Sequence, residues 1–164
     1  MPEPDLSRLA GLAASIAAQG VAVDVRNTIE TVPSAAIQLA LYRIAQESLT
    51  NVLRHSTASA VTVLAREDAA GYLLDITDNG TGTPPRQDSG GRGLLGMHER
   101  AELLGGSLTA GPREGGGFRV SARIPPGAGA PVSLTGEAAG PLPDPAAPTD
   151  LPASLVPPVP KGSP

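Results

Sequence analysis

Two short segments of this chain carry side chains whose spacing suits chemistry: Glu47-Ser-Leu-Thr-Asn51 and Asp75-Ile-Thr-Asp-Asn-Gly-Thr-Gly82. In the first, a carboxylate and an amide lie one helical turn apart. An amide carbonyl is a hard oxygen donor suited to Mg²⁺, an ion that keeps several waters and is usually shared with phosphates. A carboxylate beside it can orient a water or hydroxyl, or hold the ion's hydration shell. In the second segment Asp78 closes an apolar run and is followed by Gly80 and Gly82. A carboxylate there can accept from an exocyclic amino group such as that of adenine, and glycines let backbone approach a flat ring. Each segment also has a plainer use. Arg43, Glu47, Asn51 and His55 would serve equally as the solvated stripe of an amphipathic helix, and Asp-Asn-Gly is good turn chemistry.

A third segment, Gly90-Gly-Arg-Gly-Leu-Leu-Gly-Met97, runs into a helical pattern, where glycine amides at a helix start can face phosphate. It lacks the Gly-Lys-Ser/Thr ending of a P-loop, and the only lysine is Lys161. No strand leads directly into it, so the dinucleotide fingerprint is not met either. A phosphate site here would draw on backbone amides, Mg²⁺ and Arg92 or Arg100. Gly115-Gly-Gly117 reads as a hairpin connection.

The elements that must hold these residues follow from periodicity. Residues 6–18 read as a short helix and 21–25 as a strand. Pro33-Ser34 opens a long helix to His55, with Leu41, Tyr42, Ala45, Leu49, Val52 and Leu53 opposite the polar stripe. Residues 60–66 and 72–77 read as a hairpin, 80–92 as a loop, and 93–104 as a helix ended by Gly105-Gly106. Strands follow at 107–110 and 118–124, the last with Phe118, Val120, Ala122 and Ile124 on one face. The expected fold class is α+β, a two-layer sandwich with a mixed sheet packed on helices.

With 40% apolar but only 2% aromatic residues, the core must be built from Ala, Val, Leu and Ile. A net charge of −4 offers no basic excess for nucleic acid or acidic membranes. The absence of cysteine removes disulfides and thiolate metal sites. No apolar run approaches a membrane span, and no signal peptide is visible. Residues 126–164 hold 11 of the 18 prolines, a composition expected to stay disordered because it buries too little apolar surface.

Taken in order, the stretches from Tyr42 to His55, from Asp78 to Gly82, from Gly91 to Gly106 and Gly115-Gly-Gly117 resemble the catalytic ATP-binding domain of sensor histidine kinases. The likeness extends over 20–125 and is nearest the nitrate-sensor-like and thermosensor-like subfamily. It implies the Bergerat fold of the superfamily shared with gyrase, Hsp90 and MutL, with ATP and Mg²⁺ as cofactors. By the same resemblance Asn51 is the Mg²⁺ ligand and Glu47 the catalytic residue beside it. Asp78 takes the adenine amino group, with Gly80 and Gly82 in the same box. Gly91, Gly93, Leu94 and Gly96 belong to the lid hinge and phosphate side, and Arg54 and His55 lie near the phosphates. The lid, 83–90, is short. Phe118 stands where the family usually has a threonine that supports the adenine-binding aspartate, and Thr83 where an apolar residue is common.

The resemblance further implies a cytoplasmic domain, a histidine-bearing dimerisation domain and a response regulator with helix-turn-helix output. His55 and His98 are the only histidines, and both lie inside the motifs. The phospho-acceptor is therefore expected from another domain or chain, and residues 1–19 from a linker or the end of a dimerisation helix. Such a chain would be a fragment, a truncated product or a protein acting in trans. A serine kinase of the anti-sigma-factor type shares the Glu47…Asn51 and Asp78…Gly82 pattern, and a non-catalytic nucleotide-binding interaction module is the remaining alternative.

Overall fold

The computed structural model describes residues 5–81 and 87–129, all within one compact unit, Met1–Pro131. A 3₁₀ turn (Leu6–Arg8) leads into α1 (Leu9–Ala17). It is followed by β1 (Ala22–Thr28), α2 (Ala35–His55), β2 (Ala60–Asp68), β3 (Gly71–Asp78), α3 (Gln87–Glu102), β4 (Ser107–Pro112) and β5 (Phe118–Ile124). The five strands form one mixed sheet in the order β1-β2-β3-β5-β4. β1 runs parallel to β2, and every other pair is antiparallel. The expected α+β sandwich is therefore present.

Period-two alternation decides which face of the sheet is covered. Val61, Val63 and Ala65 of β2, Leu74 and Ile76 of β3, and Val120, Ala122 and Ile124 of β5 are buried in one cluster with all three helices. α2 contributes Ile37, Leu41, Ile44, Ala45, Leu49 and Val52, while Tyr42 and Leu53 are only half-buried. The opposite face carries charge. Arg119 Nε donates to Asp75 across the β3–β5 pair at 2.7 Å, and Arg123 donates to Asp68 at 2.8 Å. The Arg123 guanidinium, with the Ala70 N–H, holds the Asp68 carboxyl below the usual carboxylate range.

The helix ends obey their local chemistry. Ser34, directly after Pro33, is the N-cap of α2: its Oγ accepts from Ile37 N–H at 3.3 Å and donates to Ala128 O at 2.8 Å. Pro33 thus precedes the cap instead of opening the first turn. The Ala128 bond carries the fold through residue 129, beyond the expected end at 125; the rest of the proline-rich segment lies outside the described residues. Residues 6–17 place Leu6, Leu9 and Ile16 in the shared core, so this segment is packed on the domain. α3 ends at Glu102, and Gly105 turns the chain with φ +68° while the Gly106 N–H bonds back to Ala101 O at 2.9 Å, as in a Schellman motif. Its start departs from expectation. The helix begins at Gln87, six residues before Gly93, so 87–92 is helix and not loop.

Gly71 opens β3 with φ +117°, and a Cβ there would run into the Ile124 carbonyl and lie 2.8 Å from Pro125 Cα. Both obstacles are backbone, so neither can swing away. Gly71→Ala is expected to lower folding stability by at least about 2 kcal/mol, read from urea denaturation.

Candidate functional site

α2 crosses the covered face of the sheet beside β3 and β5, and a cleft opens where its C-terminal half meets the ends of those strands and α3. The cleft is partly open to solvent and is lined by residues of α2, β3, α3 and β5. Val52, Ile76, Leu94, Phe118 and Val120 give it apolar walls, and Asn51, His55, Ser56, Asp78 and Thr81 give it polar groups. Phe118 is the chain's single phenylalanine.

Asp78 is the last residue of β3 and is only 6% exposed. A buried carboxylate needs donors. Among the described residues, both hydrogen bonds to it end on one oxygen, Oδ1: Gly80 N–H donates at 2.7 Å and Ser56 Oγ at 3.2 Å. Asn79 pins the strand end. Its Oδ1 accepts from the N–H groups of Ser59 and Ala60 at 3.0 Å each, and its Nδ2 donates to Ser59 Oγ at 3.1 Å. Asp-Asn-Gly is therefore turn chemistry and site chemistry together. Asn79 fixes the backbone, and Asp78 is turned into the cleft. The hairpin glycines press on the same point, since a Cβ on Gly117 would strike the Asp78 carbonyl.

On α2, Asn51 and His55 both line the cleft, as their four-residue spacing requires. Ser48, one turn before Val52, is buried and donates to Met97 Sδ of α3 at 3.3 Å, joining the two helices. Glu47 is not among the lining residues. Its carboxylate lies against Gly93, where a Cβ would collide with Oε1. No cluster of three or more His, Cys, Asp or Glu able to hold a metal occurs among the described residues.

The family model for "Histidine kinase-, DNA gyrase B-, and HSP90-like ATPase" matches residues 36–128, from the first turn of α2 to the end of the described fold. The chain belongs to this family. The domain is 41% identical over 96 residues to the signal transduction histidine-protein kinase/phosphatase UhpB of Salmonella typhimurium, covering 58% of this chain and 19% of that protein. It is 40% identical over 85 residues to the sensor histidine kinase YxjM of Bacillus subtilis, covering 52% and 20%. The chain thus spans about a fifth of the length of these curated relatives. The ATP-binding domain of PrrB from Mycobacterium tuberculosis aligns with a TM-score of 0.55 and 26% identity, over 74% of this chain and 94% of that one. The histidine kinase domain of a blue-light activated kinase from Erythrobacter litoralis shares the fold, with a TM-score of 0.58 over 73% of this chain and 59% of that one.

Within this ATPase-family domain, Asn51, His55, Asp78 and Leu94 of the residues expected from sequence meet at the cleft. Arg54 is exposed and off the lining, because it is a step of about 100° from His55 around the helix. Gly91 and Gly96 are also off it, and Arg92 and Arg100 are exposed. Gly91, Gly93 and Gly96 stand beyond the first turn of α3, where amides bond back along the helix. In this arrangement they do not present N–H groups to phosphate as a glycine-rich entry would. Gly80 has a steric requirement of its own, because a Cβ on it would meet Ser56 Oγ and sit 2.8 Å from Asp78 Oδ1. Gly82 and residues 83–86 of the lid lie outside the described residues. Sequence reasoning missed Ser56 as a cleft residue. The available signal was its position directly after the last helical residue, where the chain must turn.

Gly93 offers a test of the α2–α3 contact. Alanine gains up to about 1 kcal/mol of helix propensity over glycine, and the atom in its way is the far end of a flexible side chain. Gly93→Ala should therefore keep folding stability within about 1 kcal/mol of wild type in urea while expelling the Glu47 carboxylate from its place. A Glu47→Ala background should then allow the alanine to stabilise the protein outright.

Proposed function

We propose that this chain is the ATP-binding catalytic domain of a two-component sensor histidine kinase of the nitrate-sensor/thermosensor-like type. The observation that carries this reading is the buried Asp78 carboxylate facing an apolar cleft whose other wall presents Asn51 and His55. Adenine fits the arrangement. Its ring would take the apolar walls with Phe118, and its amino group would donate to Asp78 Oδ2, the oxygen that neither Ser56 nor Gly80 occupies. The phosphates would then run along α2 toward Asn51.

The donor set suits Mg²⁺ held chiefly through phosphate. One amide oxygen, that of Asn51, is at hand, and no acidic cluster competes to cage the ion among the described residues. Bound Mg²⁺ would supply neutralisation of phosphate charge. Asn51 orients that charge, while Asp78 and the apolar walls fix the nucleotide and exclude water. Such positioning is most of what phosphoryl transfer asks of a protein. In the reaction, the γ-phosphorus–oxygen bond to ADP breaks and a bond to an imidazole nitrogen forms. Glu47, one turn before Asn51, would assist this phosphate chemistry as the catalytic carboxylate. In the present arrangement α3 shields it through Gly93.

The acceptor histidine would be supplied by a dimerisation domain in another segment or chain, and the phosphoryl group would pass to a response regulator with helix-turn-helix output in the cytoplasm. The kinase names of the relatives, at 40–41% identity over the motif-bearing region, support this assignment.

Isothermal titration tests the reading. Wild type should bind Mg-ATP. Asp78→Ala should weaken adenosine and ATP alike by about ten- to a hundredfold, the worth of a hydrogen bond to a charged group. Asn51→Ala should leave adenosine binding unchanged and abolish the extra affinity that Mg²⁺ gives ATP. Equal ATP affinity for wild type and Asp78→Ala would refute the base-site assignment.

A further inference from the structure

We infer that Ser56 is a positioning residue for base recognition: its hydroxyl fixes the rotamer of the Asp78 carboxylate so that Oδ2 meets the exocyclic amino group of the nucleotide. The inference rests on reading the cleft as an adenine-nucleotide site. Its basis is a closed set of contacts. Ser56 is the C-cap of α2, with its N–H on Val52 O at 3.0 Å. Its backbone has left the helix at φ −106°, ψ 150°. That turn carries the hydroxyl off the helix axis and into the cleft.

The hydroxyl is committed in both directions. It accepts from Ala58 N–H at 3.0 Å, which uses one lone pair and fixes the oxygen. Its proton goes to Asp78 Oδ1 at 3.2 Å. Gly80 N–H reaches the same Oδ1 at 2.7 Å. Two donors on one carboxylate oxygen define the plane and torsion of the group, and they leave the other oxygen as the acceptor. The missing Cβ of Gly80 is the steric condition for this, because a Cβ would occupy the space of Ser56 Oγ. One helix terminus thereby sets the aim of a carboxylate borne on a strand 22 residues later.

The chemistry predicted is selectivity for a purine carrying a donor at position 6. The experiment compares ATP with purine riboside triphosphate, which lacks only that amino group, and with inosine triphosphate, which presents a carbonyl there. Titrations would use the full chain with Mg²⁺, as wild type, Ser56→Ala, Ser56→Thr and Asp78→Ala. Wild type should prefer ATP to purine riboside triphosphate by about tenfold or more. Ser56→Ala should lose most of that ratio, chiefly through weaker ATP binding, with its affinity for purine riboside triphosphate held within about twofold. Ser56→Thr, which keeps the hydroxyl, should restore the ratio.

A purely structural role would instead lower affinity for all three nucleotides together, or lower the melting temperature, with the ratio intact. An unchanged ratio in Ser56→Ala beside a collapsed ratio in Asp78→Ala overturns the role of Ser56 and leaves the nucleotide site standing. No discrimination in wild type, or no nucleotide binding, overturns both.

Discussion

The arrangement of this domain depends on keeping one carboxylate buried at the end of a strand. Asp78 sits where β3 runs out from under α2, and a carboxylate withdrawn from water is tolerated only with donors at hand. Those donors come from two places that the fold must bring together: the turn that follows β3, through Gly80, and the end of α2, through Ser56. Asn79 holds the turn by taking both of its acceptor bonds from the backbone at the start of β2. Gly117 permits the β4–β5 loop to pack directly on the Asp78 carbonyl. The turn after β3 is thus joined at one residue by two segments distant in sequence, the α2–β2 connection and the β4–β5 loop.

The rest of the architecture supplies rigidity to that point. One face of the sheet is covered by helices through Ala, Val, Leu and Ile, as the scarcity of aromatic residues demands. α2 is the longest element and the one whose two faces differ most in duty. Its Ile44, Leu49 and Val52 side anchors it in the core, while Asn51 and His55 look into the cleft. The single phenylalanine is placed at the cleft, half-buried, where a flat ligand would profit from an aromatic edge or face. α3 leans on α2 through two small-scale fits, Ser48 on Met97 and Glu47 on Gly93. The second fit depends on the missing Cβ of Gly93, which leaves room for the Glu47 carboxylate.

Much of this was legible in the residues. The alternation of β2, β3 and β5, the capping serine at Ser34 and the Gly105-Gly106 stop are local signals, and they gave the elements to within a few residues. The four-residue spacing of Asn51 and His55 and the acid closing β3 gave the heart of the cleft. What escaped was non-local. The first turn and a half of α3 carries glycines that argue against helix by propensity, and tertiary packing on α2 prevails over that preference. Arg54, placed near the phosphates by the family resemblance, is turned by the helix to solvent and off the cleft lining. Ser56 gives no local signal beyond its place after the helix, and Asn79 reads as turn chemistry. Their roles appear only when the end of α2 and the end of β3 are side by side. Phe118 offers no hydroxyl to the aspartate, and the one that reaches Asp78 comes from Ser56 at the end of α2.

One nucleotide between α2, the end of β3 and α3, with its base at Asp78, is the occupant that this cleft is proposed to take. The most direct measurement is amide chemical-shift mapping of the isotope-labelled chain during titration with a non-hydrolysable Mg-ATP analogue. The largest changes should fall at Asn51, His55, Ser56, Asp78, Gly80 and Leu94, while the charged face bearing Asp75, Arg119 and Arg123 stays unmoved. Changes centred on that charged face, with Asp78 and Gly80 silent, would contradict it.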